Sequence, residues 1–507
     1  MSTSTPTGPA SGPAVRPHPL SAAAAERRTR AVDQVPHGLL VGGAWRETVE
    51  TFVVSDPATG ETLAQVADGT PDDAVAALDA AAAAQDDWAA TDPRERAEIL
   101  RRAFDLLQER SESVATVMTA EMGKPYAEAQ AEVSYGGEFL RWFSEEAVRI
   151  AGRWSTAPTG GTRLLTMKQP VGPTYAITPW NFPLAMGTRK IAPALAAGCT
   201  IVLKPAGATP LTSLLLGQIL LDAGLPPGVL GIITSSSSSA VTAPLLADPR
   251  LRKLTFTGST EVGRALLEQS AAQVLRTSME LGGNAPFVVC ADADLEAAVD
   301  GAMTAKMRNV GEACTAANRF LVHADLAEDF SRALAERMSA LVPGHGLDEH
   351  TTLGPLIDDD AVAKAHELIE DATRAGARIA AGGRALDGDG SFLGATVLTD
   401  VPASARILTE EVFAPVAPIT TFTDDDAAIA AANDTEYGLV SYVFTTNLSR
   451  AIRYAERLDA GMVGVNQGVV SNPAAPFGGV KQSGLGREGG LEGIEEYLET
   501  KYVGLKL

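Results

Sequence analysis

The chain has 507 residues, which is long for a single hydrophobic core, so two or three domains are expected. Hydrophobic residues make up 45% of it and charged residues 21%, a composition that excludes a fibre, a membrane protein and a largely disordered chain. Sixty-three acidic residues against 41 basic ones leave a net charge of -22, which argues against nucleic acid as a partner and requires a local basic pocket for any anionic ligand.

The first segment, residues 1–33, is rich in Ser, Thr, Pro and Ala and contains the run ERRTR. It lacks the apolar core of a secretory or twin-arginine signal, so the sequence predicts a disordered tail here. The sequence contains no stretch of 18 or more apolar residues, which is the length needed to cross a bilayer. The three cysteines have no CxxC spacing and the six histidines are scattered, so we expect no disulfide, no metal site, and a reducing, cytoplasmic location.

The tail is followed by the segments GLLVGGAW and TFVVSDPATGETLAQV, which are typical of short strands, and then by a helical region from Pro71 to about Ile150. From about Gly172 short apolar runs alternate with helices, and a second series of the same kind begins near Ala285. Such alternation indicates an α/β fold with two domains, each built on a parallel sheet whose ligands bind beyond the carboxyl ends of the strands.

A GxGxxG match, GLGREG, occurs at Gly484–Gly489. It has no strand before it and too little chain after it for a βαβ unit, so it is not a dinucleotide-binding motif. A nucleotide site must be built from other residues.

Three segments carry a family resemblance: TPWNFP at 178–183, MELGGNAP at 279–286 and NVGEACTAANRF at 309–320. They are reinforced, in order along the chain, by EMGKP, LKPAGATP, FTGSTEVG, EEVFAPV and PFGGVKQSGLGREG. With these motifs the chain resembles the aldehyde dehydrogenase superfamily from about Leu39 to its C-terminus. The resemblance implies oxidation of an aldehyde to an acid with NAD(P)+.

The resemblance assigns the chemistry to three residues. Cys314 matches the nucleophile, whose thiolate forms a tetrahedral adduct that gives a hydride to nicotinamide and leaves a thioester. Asn181 matches the side-chain donor to the oxyanion, with the backbone N–H of Cys314 as the second donor. Glu280 matches the base that activates water for thioester hydrolysis. Cys199 and Cys290 lie among apolar residues and are expected to be inert.

The same resemblance implies a set of cofactor-binding residues, among which Lys204 binds the adenosine ribose, the helix after Ser259 receives the pyrophosphate, and Glu411 holds the nicotinamide ribose. The full set is Thr178, Pro179, Trp180, Lys204, Ala206, Gly207, Gly258, Ser259, Leu281, Glu411 and Phe413. Many NAD-preferring relatives carry Glu where this chain has Gly207. Without that carboxylate a 2′-phosphate meets less repulsion, so NADP is the expected cofactor, with NAD as the alternative.

Within the superfamily the chain looks most like the succinate-semialdehyde dehydrogenases, through the strings MGTRKIAPALAAGC, KMRNVGEAC and NQGVVSNPAAPFGG. The resemblance implies that Arg189, Arg308 and Ser471 bind the substrate carboxylate, which suits the planar, bidentate donor geometry of arginine. Glutarate semialdehyde or a general aldehyde is the alternative substrate, and a catalytically silent protein on the same fold is a more remote one. Some relatives have a second cysteine two residues after the nucleophile, but this chain has Ala316, so we expect no regulatory disulfide there.

Relatives associate as dimers or tetramers through a hairpin and a C-terminal strand, so a homodimer or homotetramer is expected here. The implied division is a Rossmann-like cofactor domain (34–151 and 171–282), a catalytic domain (283–482), and a small β oligomerisation arm with the C-terminal segment (152–170 and 483–507).

Overall fold

The computed structural model describes residues 16–506, and its helices and strands alternate along most of that range. The helices are α1 Ala22–Val32, α2 Pro71–Ala90, α3 Pro93–Glu109, α4 Ser111–Met122, α5 Tyr126–Glu146, α6 Ala185–Ala197, α7 Leu211–Asp222, α8 Ser238–Ala247, α9 Thr260–Ser270, α10 Leu295–Met307, α11 Ala324–Ser339, α12 Asp359–Ala375, α13 Asp425–Asn433, α14 Leu448–Arg457 and α15 Glu492–Glu495. The strands are β1 Leu39–Val41, β2 Ala44–Arg46, β3 Thr51–Ser55, β4 Thr62–Ala67, β5 Arg153–Thr156, β6 Thr162–Pro170, β7 Thr174–Ile177, β8 Ile201–Lys204, β9 Leu230–Ile232, β10 Lys253–Thr257, β11 Arg276–Glu280, β12 Ala285–Val289, β13 Ala317–His323, β14 Arg378–Ala381, β15 Thr396–Thr399, β16 Val416–Phe422, β17 Val440–Phe444, β18 Met462–Val465, β19 Gly484–Leu485 and β20 Leu498–Lys506.

The first large sheet has the strand order β19-β11-β10-β7-β8-β9-β1-β2, and its five central strands run parallel. These strands are short and buried on both faces, as their unbroken apolar pattern predicts. The long helix α2 that covers part of this sheet begins with a capping box, in which Thr70 and Asp73 each satisfy a backbone N–H of the other, and it has Pro71 in its first turn.

The second large sheet has the order β14-β15-β16-β13-β12-β17-β18 and is parallel except for the antiparallel pair β14–β15. Its core is rich in aromatic rings, with Phe287 stacked on Phe444 at a centroid distance of 4.8 Å. The α/β prediction with two parallel sheets is therefore confirmed.

A third, antiparallel sheet has the order β20-β6-β5 and forms a projecting arm. Residues 483–507, which we grouped with the arm as the C-terminal segment, are divided between the arm and the first sheet. β19 pairs with β11 at the edge of the first sheet, and Ile494 and Tyr497 are buried in the first core. The GLGREG segment begins with this antiparallel edge strand rather than with a phosphate loop.

The prediction of a disordered tail over residues 1–33 is wrong for its second half. Residues 22–32 form α1, which is capped by the Ser21 side chain and buries Ala31 and Val32. Alanine favours helix, and the ion pair of Arg28 with the buried Asp56, at 2.6 Å, ties α1 to the loop after β3. Residues 1–15 lie outside the described range. Within that range, no helix has the length and apolar character needed to span a membrane.

Candidate active site

A cleft of about 240 Å³ lies where the carboxyl ends of the first sheet's strands meet the second domain. Its lining brings together nine of the sequence-predicted residues and adds three that sequence reasoning missed, Met186, Thr257 and Gly282. The nine are Pro179, Trp180, Asn181, Gly258, Ser259, Leu281, Cys314, Glu411 and Phe413. Because β7, β10 and β11 are adjacent and parallel, the loops that follow them converge at one edge of the sheet, which is where such sheets bind ligands.

The wall of the cleft after β10 is the start of a helix. Ser259 caps α9, its side chain accepting the N–H of Val262. A Cβ on Gly258 would come within 2.4 Å of the Phe256 ring, so only glycine fits against that ring. The first turn of α9 therefore offers free backbone N–H groups at the cleft, an arrangement suited to an anion.

Lys204 ends β8 and is buried without a carboxylate partner within 4 Å among residues 16–506. Its ammonium donates to the hydroxyl of Ser238, at the start of α8. Burial lowers the pKa of Lys204 to about 8. An anion placed beside it would restore the charge balance.

Ala206 and Gly207 lie in the loop after β8, outside the lining of the cleft itself. A Cβ on Gly207 would stand 3.7 Å from the carbonyl oxygen of Ser235 and 3.8 Å from Phe52, which is ordinary contact. The backbone there therefore tolerates a side chain, and the space that such a side chain would take is open. Thr178 joins this loop to β7, its N–H donating to the carbonyl oxygen of Lys204 at 3.2 Å.

The second domain contributes the loop before β16. Phe413 adopts a left-handed backbone conformation, with φ 48°, and its ring meets Trp180 edge-on at 5.5 Å. The carboxylate of Glu411 accepts the N–H of Gly283 at 3.2 Å. Burial raises the pKa of Glu411 to about 7.

Cys314 lies in the loop before β13 and remains partly exposed to the cleft, whereas Cys199 and Cys290 are fully buried. Enclosure by protein raises the pKa of the Cys314 thiol to about 12, and the carboxylate of Glu280 acts in the same direction, while the Arg189 guanidinium opposes both. The thiol is therefore protonated at neutral pH. Its reactivity depends on a base or on a change in its surroundings.

Asn181 faces the loop that carries Cys314. Its amide nitrogen Nδ2 donates to the carbonyl oxygen of Glu312 at 2.9 Å, which fixes the orientation of the amide and leaves its second N–H free for another acceptor. The backbone carbonyl of Asn181 is held in turn by Lys124, at 2.8 Å. The amide is thus a rigidly held donor beside the thiol.

Glu280 ends β11 and is buried, with Oε2 unbonded among the described residues. Burial raises its pKa well above the usual range for a carboxyl, and the neighbouring carboxylate of Glu488 raises it further. The segment around Gly478 crowds it, since a Cβ there would lie 2.8 Å from Glu280 Oε1. A carboxyl with a raised pKa is suited to accepting a proton near neutral pH.

Glu488 was missed by sequence reasoning because it lies in the GLGREG segment, which was set aside as a false motif. Its carboxylate is buried between Lys190, at 2.6 Å, and Arg189, at 2.7 Å. These two cations outweigh the effect of burial and lower the pKa of Glu488. The sequence did contain one signal for such a residue, the adjacent cations Arg189 and Lys190 on α6. Two cations on a buried helix require a carboxylate partner.

The three predicted carboxylate-binding residues differ in their surroundings. Arg189 is 1% exposed, is paired with Glu488, and lies 3.9 Å from the centre of the Phe477 ring. Arg308, directly after α10, makes no ion pair within 4 Å among the described residues and stands over the rings of Tyr135, at 5.5 Å, and Phe182, at 5.0 Å. Ser471 lies partly exposed in the loop after β18.

The chain is similar in sequence to known aldehyde dehydrogenases. The sequence profile of the Aldehyde dehydrogenase family matches residues 45–503. The chain is 60% identical to a succinate-semialdehyde dehydrogenase of Paenarthrobacter nicotinovorans, over 87% of this chain and 98% of that one. It is 49% identical to an NADP(+) succinate-semialdehyde dehydrogenase of Escherichia coli K12, over 92% and 96% of the two chains.

A glutarate-semialdehyde dehydrogenase of Pseudomonas putida is 48% identical, over 91% of this chain and 96% of its own. Among solved structures, an NADP-dependent enzyme of Escherichia coli superposes with a TM-score of 0.92 at 48% identity, covering 94% of this chain and 99% of that one. The chain is thus similar to these relatives in both sequence and backbone over nearly its whole length.

Proposed function

Because the chain belongs to the aldehyde dehydrogenase family, we propose that it oxidises succinate semialdehyde to succinate with NADP+ as the oxidant. The observation that carries the proposal is the cleft in which Cys314 and the amide of Asn181 meet the carboxyl ends of the parallel strands. The succinate-semialdehyde dehydrogenases among its relatives support the choice of substrate.

In this proposal Cys314 is the nucleophile. Its thiol gives up a proton to solvent water, and the sulfur forms a bond to the aldehyde carbon while the carbonyl π electrons move to oxygen. The resulting thiohemiacetal oxyanion is stabilised by the free N–H of Asn181 Nδ2 and by the backbone N–H of Cys314. Loss of one such donor typically costs about 3 to 4 kcal/mol in the barrier.

The residues around the cleft fit a nicotinamide dinucleotide. The N-terminus of α9 suits a pyrophosphate, and the carboxylate of Glu411 suits ribose hydroxyls. A bound nicotinamide would supply the hydride acceptor for oxidation of the adduct carbon, and Cys314 would then carry a thioester. The ring contact of Trp180 with Phe413 braces the two walls between which the dinucleotide would lie.

The preference for NADP rests on the buried Lys204, which lacks a carboxylate partner among residues 16–506, and on the open space at Gly207. A 2′-phosphate would give the Lys204 ammonium the anionic partner that it lacks, and the hydroxyl of Ser238 is hydrogen-bonded to the same ammonium. NAD, which has no such phosphate, would leave that charge unbalanced, so we expect it to be the poorer substrate.

Glu280 is the proposed base for the second half of the reaction. It takes a proton from a water molecule whose oxygen attacks the thioester carbon, and the C–S bond breaks to give the acid and the Cys314 thiolate. Its buried position, with one carboxylate oxygen unbonded among the described residues, supports this role. Glu488, between Lys190 and Arg189, keeps a negative charge close by and helps to maintain the raised pKa of Glu280.

The substrate carboxylate is assigned first to Arg308, which is unpaired among the described residues, and to Ser471. Arg189 is assigned a double role, because its guanidinium already balances Glu488 and can offer only its remaining donors to substrate. The loop of Ser471 packs on α10, since a Cβ on Gly468 would meet the carbonyl oxygen of Gly301 at 2.3 Å, and α10 ends beside Arg308.

Association as a homodimer or homotetramer, through the β20-β6-β5 arm, belongs to the same proposal. Both outer strands of the arm, β5 and β20, have an unpaired edge within the described chain. Cytoplasmic location stays a prediction from the cysteine pattern.

Initial rates of NADPH formation test the function, measured with succinate semialdehyde, glutarate semialdehyde, and butanal as the neutral control. Succinate semialdehyde should give the highest kcat/KM, and Cys314→Ser should abolish turnover of all three. A kcat/KM highest for glutarate semialdehyde would favour the activity of the Pseudomonas relative, because one methylene is worth only about 1 to 3 kcal/mol. Tight NADP binding without turnover of any aldehyde would refute an enzymatic function.

A further inference from the structure

The chain segment between α10 and Cys314 contains a tight left-handed turn. Asn309, Val310 and Gly311 all have positive φ, at 55°, 57° and 82°. Asparagine and glycine adopt this conformation readily, but a β-branched valine does so only when its surroundings impose it. The turn is therefore held by contacts outside itself.

The side chain of Asn309 makes two of those contacts. Its Nδ2 donates to the backbone carbonyl of Asn181 at 3.0 Å and to that of Glu312 at 2.9 Å. The carbonyl of Glu312 also accepts the amide of Asn181, at 2.9 Å. The fully buried amide of Asn309 thus joins Asn181, which offers the side-chain donor to the oxyanion, to the loop of Cys314, which offers the backbone donor.

The backbone of Asn309 is held from a different helix. Its N–H donates to the carboxylate of Glu128, in the first turn of α5. Burial raises the pKa of Glu128, and this backbone hydrogen bond together with the Lys124 ammonium opposes the increase. The contact anchors the turn to α5, the helix whose Tyr135 lies beside Arg308.

A buried ion pair supports the opposite side of the same network. Lys124 Nζ is 2.5 Å from Glu132 Oε2 and donates to the carbonyl of Asn181. The other oxygen of Glu132 accepts the N–H groups of Leu184 and Ala185, at 3.0 and 3.1 Å. The 181–185 segment is thereby fixed relative to α5, so α5 sets the position of both donors.

We propose that Asn309 is a positioning residue for the two oxyanion donors, and that the carboxylate of Glu128 holds Asn309 in its left-handed conformation. This inference rests on the proposed function, since it concerns the donors of that reaction. Asn309 touches neither aldehyde nor cofactor in this scheme. It fixes the distance between the Asn181 amide and the Cys314 loop, and errors of about 1 Å in such positions can cost about a hundredfold in rate.

The test uses the full-length enzyme and two pairs of variants. Asn309→Gly keeps the left-handed turn but removes the amide, and Asn309→Asp keeps the size but places a carboxylate against two carbonyl oxygens. Glu128→Ala removes the acceptor of the Asn309 N–H, whereas Glu128→Gln retains a carbonyl oxygen that can accept it. Glu138→Ala is the control on α5, because Glu138 is exposed and, among residues 16–506, pairs only with Arg141 on its own helix, at 3.3 Å.

For Asn309→Gly and Glu128→Ala we expect kcat with succinate semialdehyde to fall by about tenfold or more, with KM within about threefold. Asn309→Asp should lose at least as much kcat, because its carboxylate repels both carbonyls. Glu128→Gln should stay within about threefold of the parent in both constants, since its oxygen restores the contact. Alkylation of Cys314 by iodoacetamide forms no oxyanion, so its rate should change by less than about threefold in Asn309→Gly.

Parent-like kcat in Asn309→Gly and Glu128→Ala would overturn the proposal, as would a loss of kcat matched by an equal loss of alkylation rate. A Glu128→Gln variant as impaired as Glu128→Ala would also refute the role of the accepted hydrogen bond. Cys314→Ser in the same assays separates the two levels of inference. Turnover that survives Cys314→Ser refutes the proposed function, whereas inactive Cys314→Ser beside parent-like Asn309→Gly refutes only the positioning role.

Discussion

At the scale of single residues, the site combines one partly exposed thiol with several buried charges that differ in their partners. Arg189 and Lys190 share Glu488, whereas Arg308 makes no ion pair among the described residues. A buried charge is costly when it loses its partner. Removal of Arg189 leaves the Glu488 carboxylate with Lys190 as its one remaining cation. Removal of Arg308 leaves no carboxylate of the described residues without its partner. The two arginines should therefore respond differently to substitution.

Arg308→Met should lower kcat/KM for succinate semialdehyde by about a hundredfold or more but change the value for butanal little, because only the anion loses a partner. Arg189→Met should lower the rate with both substrates, since it also disturbs Glu488 and, through it, Glu280. Steady-state kinetics with the two aldehydes measure the difference. Equal losses on both substrates for Arg308→Met would contradict its assignment to the substrate carboxylate.

We expect the pH dependence of cofactor choice to follow Lys204, whose pKa burial lowers to about 8. Below that pH the ammonium is charged and attracts a 2′-phosphate, and above it the neutral amine does not. We therefore expect the ratio of kcat/KM for NADP to that for NAD to fall between about pH 8 and 10. The NAD arm is the internal control, because other ionisations of the site affect both cofactors.

Gly207→Glu is the matched variant for that experiment, since the structure leaves room for a Cβ at this position. Its carboxylate would pair with Lys204 and repel the phosphate, so the ratio should shift towards NAD at every pH. If the ratio of kcat/KM for NADP to that for NAD does not vary with pH in the parent and is unchanged in the variant, Lys204 does not bind the 2′-phosphate.

The family resemblance pointed to Cys314, Asn181 and Glu411, which line one cleft in the fold, and their roles there stay a prediction. Sequence alone was not sufficient for Glu488, because a buried ion pair between residues almost 300 positions apart leaves no local pattern. Nor did it indicate the left-handed turn at Asn309. A backbone conformation imposed by tertiary contacts is invisible to local propensity.

At the scale of secondary-structure elements, the arm offers a surface that a monomer would leave open to water. Trp154 is 60% exposed on β5 and Met167 is 40% exposed on β6. Trp154 is opposite Leu165, two residues from Met167, so both side chains lie on one face of the arm. An exposed aromatic and aliphatic pair of this kind is typical of an interface.

Trp154→Glu should shift the protein to a smaller species in size-exclusion chromatography with light scattering, because it places a charge on that face. Thr159→Glu, in the turn between β5 and β6, adds the same charge outside the strands and should leave the mass unchanged. An unchanged mass for Trp154→Glu would argue against association through this face.

Alternating apolar runs predicted the parallel sheets of both domains, because a strand buried on both faces has little choice of composition. The position of β19 was not predictable, since two residues carry no periodicity and their pairing with β11 is set by the chain around them. For the same reason the sequence did not show that the C-terminal segment divides between the arm and the first sheet.

At the scale of the whole molecule, the N-terminal segment connects the two domains. Arg28 is bound to the buried Asp56 in one of them, and His345, from a loop after the second-domain helix α11, lies 2.8 Å from the same carboxylate. The backbone N–H of His345 also donates to the carbonyl of His18. Composition led to the prediction of disorder here, but one buried ion pair and a short amphipathic helix were enough to order residues 16–33.

Arg28→Ala should lower the free energy of unfolding by about 1 to 3 kcal/mol, because Asp56 remains buried with fewer charged partners. Arg30→Ala, on the exposed side of the same helix and without an ion pair among the described residues, is the control and should have no measurable effect. Urea titration followed by circular dichroism measures both. Equal stability of the two variants would show that Asp56 does not depend on α1.

The place of residues 484–498 in the first sheet and core has a consequence for synthesis of the chain. Most of the cofactor domain has left the ribosome once β11 is made, but its edge strand and the side chains of Ile494 and Tyr497 follow roughly 200 residues later. At ordinary elongation rates that delay is about 10 to 40 s. During this time the open edge of β11 and an unsealed apolar core are exposed to other nascent chains, so the protein should need a chaperone during translation more than its final compactness suggests.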